Sequence, residues 1–241
     1  MIISHKYQLI FIKSRKTAGS SLEIALSRYL GEEDVITPCM PIEEEAIRKS
    51  LGYRSAQNFE LPIRRWKTRD AVDFLRGHYP KRFSSHSTAA RIEQEIGGEI
   101  LKDYKVVLTV RNPYDYVVSL YRWHARGKAQ SVSDFIGWLE RGEGDLRFSN
   151  WGMGKVNGES VVDLALRFEN MPDSIIELCN QTGLPKSLLE TFKSISAKAS
   201  SVRPEMTPEK IYGQFPEGLS LVANKFAEEI ELFGYQFHPH K

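Results

Sequence analysis

Tyr7-Gln-Leu-Ile-Phe-Ile-Lys-Ser-Arg-Lys-Thr-Ala-Gly-Ser-Ser-Leu-Glu-Ile-Ala-Leu-Ser-Arg-Tyr-Leu-Gly31 is the stretch on which the fold turns. Its first six residues form a nearly continuous apolar run, as expected of a parallel strand covered on both faces. Leu22, Ala25, Leu26, Tyr29 and Leu30 then fall at i, i+3, i+4, i+7 and i+8, the stripe of an amphipathic helix. Between them lies a polar, basic turn. Ser20 or Ser21 is the expected N-cap and Gly31 the expected stop. The reading is strand, loop, helix, with the loop's backbone N–H groups at a helix N-terminus, where anions bind.

A second unit of the same kind follows. Lys105-Val-Val-Leu-Thr-Val110 reads as a buried strand and Arg111-Asn-Pro-Tyr as a turn, while Tyr114, Val117, Val118 and Tyr121 repeat at helical spacing. Outward from these two units the pattern is less regular. Residues 42–49 make an acidic helical patch, and the remainder of residues 32–81 reads as an irregular excursion over the sheet edge. A helix is expected from near Ser87 to Gly97-Gly98. Residues 160–168 suggest a further strand, and Pro172 and Gly183 bracket a helix holding Ile175, Ile176 and Cys179. Residues 193–208, rich in Ser, Lys and Pro, read as a mobile loop. Leu219, Val222, Phe226, Ile230 and Phe233 share one stripe of a last long element. Strands alternating with helices argue for an α/β fold, three layers around a central parallel sheet.

Composition narrows the class. The 241 residues are 41% hydrophobic and 27% charged, a globular balance, and their length suits one domain over residues 1–241. With 33 Lys and Arg against 31 Asp and Glu, the net charge of +2 speaks against duplex nucleic acid as a partner. Any anion site must be built locally. Cys39 and Cys179 have no metal-ligand spacing and read as buried thiols of a reducing compartment. No window approaches a membrane span and the start lacks a signal-peptide run, so a cytoplasmic protein is expected. Oligomeric state is not legible.

The basic turn Lys13-Ser-Arg-Lys-Thr-Ala-Gly-Ser-Ser21 has the chemistry of a phosphate cradle. Thr17, Ala18 and Gly19 are small enough for a ligand to approach the backbone. Arg15 and Lys16 add charge, and Ser20 and Ser21 add hydroxyls. It is not a Walker A loop, which needs Gly-Lys before Ser or Thr; Gly127-Lys128 precedes Ala129 and Gly154-Lys155 precedes Val156. A solvated basic turn is the plainer reading, and the strand–loop–helix setting favours the anion site over it.

Arg15-Lys-Thr-Ala-Gly-Ser-Ser-Leu-Glu23 resembles the 5′-phosphosulfate loop of sulfotransferases that use 3′-phosphoadenosine 5′-phosphosulfate (PAPS). Val110-Arg-Asn-Pro-Tyr-Asp-Tyr-Val-Val-Ser-Leu-Tyr121 is similar to their 3′-phosphate signature. Further likeness lies in Asp34-Val-Ile-Thr-Pro38, His86-Ser-Thr-Ala89, Arg167-Phe-Glu-Asn-Met171 and Phe233-Gly-Tyr-Gln-Phe237, and points to the bacterial-type, carbohydrate-sulfotransferase-like branch. Ser14-Arg15 stands where many relatives carry Ile-Pro, and residues 40–83 match poorly.

The resemblance implies a P-loop-NTPase-like sulfotransferase fold and transfer of a sulfuryl group from PAPS to an acceptor hydroxyl or amine, with adenosine 3′,5′-bisphosphate as product and no metal. The acceptor it implies is a small molecule or glycan. Lys16 would stabilise the departing oxygen; Arg15, Lys16, Thr17, Ala18, Gly19, Ser20 and Ser21 would hold the 5′ side. Arg111, Ser119 and, from the Ser-rich loop, Arg203 would hold the 3′-phosphate; Lys198 shares that loop.

Two histidines compete as general base, His86 ahead of His78. The dipole of the helix after His86 favours the neutral ring a base requires. Glu169 reads as structural, as do most of the tryptophans. Two other classes remain open: a non-catalytic bisphosphate-binding protein, and an ATP-dependent kinase-like protein without a Walker A loop.

Overall fold

A computed structural model describes residues 1–125, 131–142, 149–195 and 206–237. Five strands form one sheet: β1 (Ile2–Ser4), β2 (Leu9–Ile12), β3 (Val35–Ile36), β4 (Lys105–Val110) and, after the two-stranded pair β5 (Lys155–Val156) and β6 (Glu159–Ser160), β7 (Leu164–Arg167). Their order is β3-β1-β2-β4-β7. β2, β4 and β7 run parallel, whereas β1 is antiparallel to both β2 and β3. The sheet is therefore mixed, and the expectation of an all-parallel one is corrected. β1 and β2 are joined by a short hairpin that places Gln8 at φ 45°. The Asp34 carboxylate accepts from the Ser4 hydroxyl and from the His5 and Gly31 N–H groups, which pins the hairpin to the outer strand.

Alternation along the strands sends side chains to two faces. Leu9, Phe11, Val107 and Leu166 pack under α1 (Gly19–Ser27), with α8 (Met171–Thr182) and α9 (Leu188–Ser194) beside it. Ile10, Ile12, Val106, Leu108 and Val110 face α4 (Ala89–Ile96) and α5 (Gly98–Asp103) on the other side, together with Trp151 and Met153 of a 3-10 turn. A third core joins α6 (Pro113–His124), α7 (Val132–Glu140), α10 (Pro208–Gln214) and α11 (Glu217–Lys225). The expected last long element is two helices, α11 and α12 (Ala227–Phe233), broken at Phe226.

Residues 32–81 hold more order than an irregular excursion. The acidic helical patch is α2 (Ile42–Ser50), as expected, and a 3-10 turn (Ile63–Arg65) and α3 (Thr68–Leu75) follow it. Their outer part closes on itself: Leu61 N donates to Pro80 O, and Arg82 N to Phe59 O, both at 2.9 Å. Pro172 and Gly183 bound α8 as expected, and both cysteines are buried. Among the described residues no helix is long and apolar enough to cross a membrane.

Candidate functional site

The first loop, residues 13–18, runs from β2 to α1. Lys16 and Ala18 both lie at φ 57°, the left-handed region that residues with a Cβ rarely adopt. Left-handed residues thus flank Thr17, the kind of backbone turn from which anion nests are built. Ala18, not Ser20 or Ser21, is the N-cap; it has no side-chain cap, and the first turn of α1 carries no acid. Among the described residues, no side-chain cap or first-turn acid meets the leading N–H groups of that helix.

The small residues serve different ends from those expected. Thr17 turns its hydroxyl inward, 2.9 Å from Ser14 Oγ and 2.7 Å from Thr109 Oγ1, so only its N–H is left for a ligand. Ser14 and Thr109 complete this buried trio of hydroxyls at 2.7 Å. A Cβ on Gly19 would stand 2.7 Å from Lys13 Cγ. That glycine makes room for the buried lysine stem as well as for whatever approaches the loop. Ser21 is buried and Ser20 half-buried in the first turn.

Arg111, at the end of β4, links the two loops. Its Nη1 donates to Lys16 O at 2.9 Å, and its guanidinium lies 4.2 Å over the Phe168 ring. Burial lowers its pKa, yet among the described residues its Nε has no hydrogen-bond partner, and neither does the buried Tyr116 hydroxyl on α6. Arg15 is the cation whose charge acts on Tyr116. Asn112 caps α6 through Oδ1, accepting from Tyr114 N at 3.2 Å, with Pro113 at the first turn. Ser119 is half-buried between the buried Val118 and Leu120. Arg203 and Lys198 fall outside the described residues, as does most of the Ser-rich loop.

The histidines separate clearly. His86 Nδ1 sits 2.8 Å from Lys13 O. A carbonyl only accepts, so Nδ1 carries the proton and Nε2 the lone pair. Burial, and after it the Lys13 charge, lowers the pKa of His86 to about 4, so the ring is neutral at pH 7. Desolvation rather than the helix dipole is the leading cause. Thr88, not a residue beside His86, caps the helix that follows. His78 is exposed beyond the end of α3, where its N–H bonds Asp73 O. None of the described bonds ties it to either loop.

Behind the first loop lies a buried charge cluster that sequence reading missed. Glu23 Oε2 is 2.6 Å from Lys13 Nζ, and its other oxygen is 2.7 Å from the Met1 amine and 3.6 Å from Arg48 Nη2. Arg48 also reaches Glu45 at 3.0 Å. The surrounding cations hold Glu23 far below the usual carboxylate range although burial opposes this. Burial pushes the neighbouring Cys39 thiol up to about 12, which leaves it protonated and unreactive. The available signal was an acid inside the apolar run Leu22-Glu23-Ile24-Ala25-Leu26.

Asn150 and Glu229 emerge as further supporting residues, beside Glu169, which the sequence already marked as structural. Among the described residues no three His, Cys, Asp or Glu side chains gather as a metal site. No family model, curated protein or solved structure matches the chain.

Proposed function

We propose that this protein is a PAPS-dependent sulfotransferase acting on an acceptor hydroxyl. The observation that carries the reading is the join between the loops: a doubly left-handed turn at a helix N-terminus, bonded through Lys16 O to an arginine of the second strand–loop–helix unit. The donor set suits such a ligand. Arg111 Nε and Tyr116 Oη are buried donors without acceptors among the described residues, an arrangement costing about 1–3 kcal/mol per group. A molecule with phosphate oxygens at both ends supplies acceptors for both loops.

PAPS brings an activated sulfuryl group whose bond to the 5′-phosphate oxygen breaks as the acceptor oxygen bonds to sulfur. The N–H groups of residues 17–21 hold the 5′ side and the Lys16 ammonium faces the oxygen that gains charge. Arg111, with Ser119 on the helix that follows it, holds the 3′-phosphate by the fork geometry that suits phosphate. The His86 Nε2 lone pair takes the acceptor's proton. A pKa of about 4 makes a weak base, but the negative charge of the bound donor raises it toward neutrality.

Calorimetric titration with adenosine 3′,5′-bisphosphate, ADP and ATP tests the reading. Binding of the bisphosphate in preference to both, weakened in Lys16→Ala, is the expected result. Preference for ATP, or no binding, overturns it. If His86→Asn keeps both bisphosphate affinity and turnover, the histidine base is wrong. If no transfer is found with intact binding, the non-catalytic reading replaces this one.

A further inference from the structure

Both loops are held from one direction. Asn150 is buried and pairs with the main chain of Arg15 twice: Arg15 N donates to Asn150 Oδ1 at 3.0 Å, and Asn150 Nδ2 donates to Arg15 O at 3.1 Å. Asn150 is itself set by α12. The buried Glu229 carboxylate accepts from Trp151 N at 3.0 Å, and from the Ser149 hydroxyl and the Asn150 N–H.

The second loop shows the same dependence. Asn112 N donates to Glu169 Oε1 at 2.6 Å, and Asn112 Nδ2 to Gln236 O at 2.9 Å. Tyr235 Oη donates to the other Glu169 oxygen at 3.4 Å. Arg167 bonds Phe233 O and lies 5.4 Å over both the Phe233 and Tyr235 rings, and Phe233 packs edge-on against Trp151 at 5.3 Å. Residues 229–237 therefore reach the first loop through Asn150 and the second through Glu169 and Asn112.

We infer that Asn150 and Glu169 are positioning residues for the two anion-binding loops, and that residues 229–237 form a brace holding both loops in register. The inference rests on the sulfotransferase reading for what the loops bind, but not for the brace itself. Its physical basis is the strain at Lys16 and Ala18. A turn with two left-handed non-glycine residues persists only where its surroundings over-determine it. Asn150 supplies two of the bonds that do so, one on each side of Arg15. In the same way the Arg111 turn keeps its angle because Asn112 is bonded at its N–H and its side chain.

The test uses the full-length protein and two readouts. Amide hydrogen exchange at Arg15 and Asn112 is measured without ligand, and adenosine 3′,5′-bisphosphate affinity by calorimetry. Asn150→Ala is expected to speed exchange at Arg15 while sparing Asn112, and Glu169→Ala the reverse. Each is expected to raise the bisphosphate Kd roughly tenfold or more, the size found for residues that orient binding groups. Glu169→Gln, which keeps an acceptor oxygen, is expected to recover most of the affinity. Glu229→Gln is expected to affect Arg15 exchange through Asn150 without touching Asn112.

Unchanged exchange in both alanine variants overturns the brace. Faster exchange with Kd within twofold overturns the positioning role. If the wild type binds no bisphosphate, the sulfotransferase reading fails and the exchange arm alone decides the brace. Should Asn150→Ala not fold, Glu229→Gln, which leaves Asn150 in place and loosens only its support, tests the same path, and unchanged exchange at Arg15 in that variant overturns the brace.

Discussion

Two basic stretches of this protein end in opposite surroundings. Residues 13–16 contribute Lys13, Arg15 and Lys16; residues 64–69 contribute Arg64, Arg65, Lys67 and Arg69. The first is tied to four other parts of the chain: Glu23 on α1, Thr109 and Arg111 on and after β4, Asn150, and His86. In the second, Arg65 pairs with Glu95 of α4 at 2.8 Å, while the segment around it packs through Trp66, Phe74 and Tyr79, whose ring centroids are 5.1 and 4.9 Å apart in turn. There Ile63 is 77% exposed and Leu75 83%. Charge density alone does not make a site. In the first stretch, buried partners fix the backbone between the cations, which is what the proposed anion site requires.

The largest expected effect follows from Glu23. Glu23→Ala strands Lys13 and Arg48 in the interior without their shared carboxylate, which costs about 3–5 kcal/mol, read as a lowered urea midpoint. Arg69→Ala removes an exposed ion pair of 3.8 Å to Asp73 and should leave the midpoint where it was. Equal effects at the two positions would erase the contrast between the stretches.

Turnover separates them next. Lys16→Ala keeps the left-handed conformation Lys16 already bears, and should lower kcat by roughly 100- to 1,000-fold with little change in stability. Lys67→Ala in the other stretch should leave kcat unaltered. A smaller loss at Lys16 than at Lys67 would move the site to the excursion.

Acid sensitivity is the third difference. The folded-state pKa of His86 is about 4 against an ordinary 6.5, so between these values the unfolded chain takes up a proton that the native protein refuses. Stability from this residue is whole above pH 6.5 and is lost as pH falls through 4, by at most about 3 kcal/mol. Urea midpoints at pH 7 and pH 4 should converge in His86→Asn relative to wild type. Parallel midpoints in the two proteins would show that His86 is not held neutral. The smallest effect is expected at Leu75→Ser, within about 0.5 kcal/mol, because the side chain it removes is already in water.

Much of the site was legible because loops between a strand and a helix carry their own chemistry. The run Leu9-Ile-Phe-Ile12, the turn after it and the stripe of α1 are local patterns, as are β4, Asn112 and Pro113 at the start of α6. The hairpin partner β1 escaped notice because three residues give no period to read. Its pairing made the sheet mixed, and strand direction is a property of neighbours rather than of either strand. Ser20 and Ser21 were plausible caps by residue type, but the left-handed turn at Ala18 started the helix earlier. The inward turn of the Thr17 hydroxyl and the Lys13 stem beside Gly19 were not legible, since the partners, Thr109 and Lys13, come from another element or from the far end of the loop.

The residues of this chain specify, through spacing alone, where two polar turns meet two helix starts, the pattern from which an anion site is expected. Long-range contact settles the rest. Which His stands at the loop, which hydroxyls are spent in the floor, and which carboxylate balances the buried cations all depend on residues tens of positions apart meeting in a medium of low polarity. There an unpaired donor or charge is costly, and each group is held where a partner from another element satisfies it.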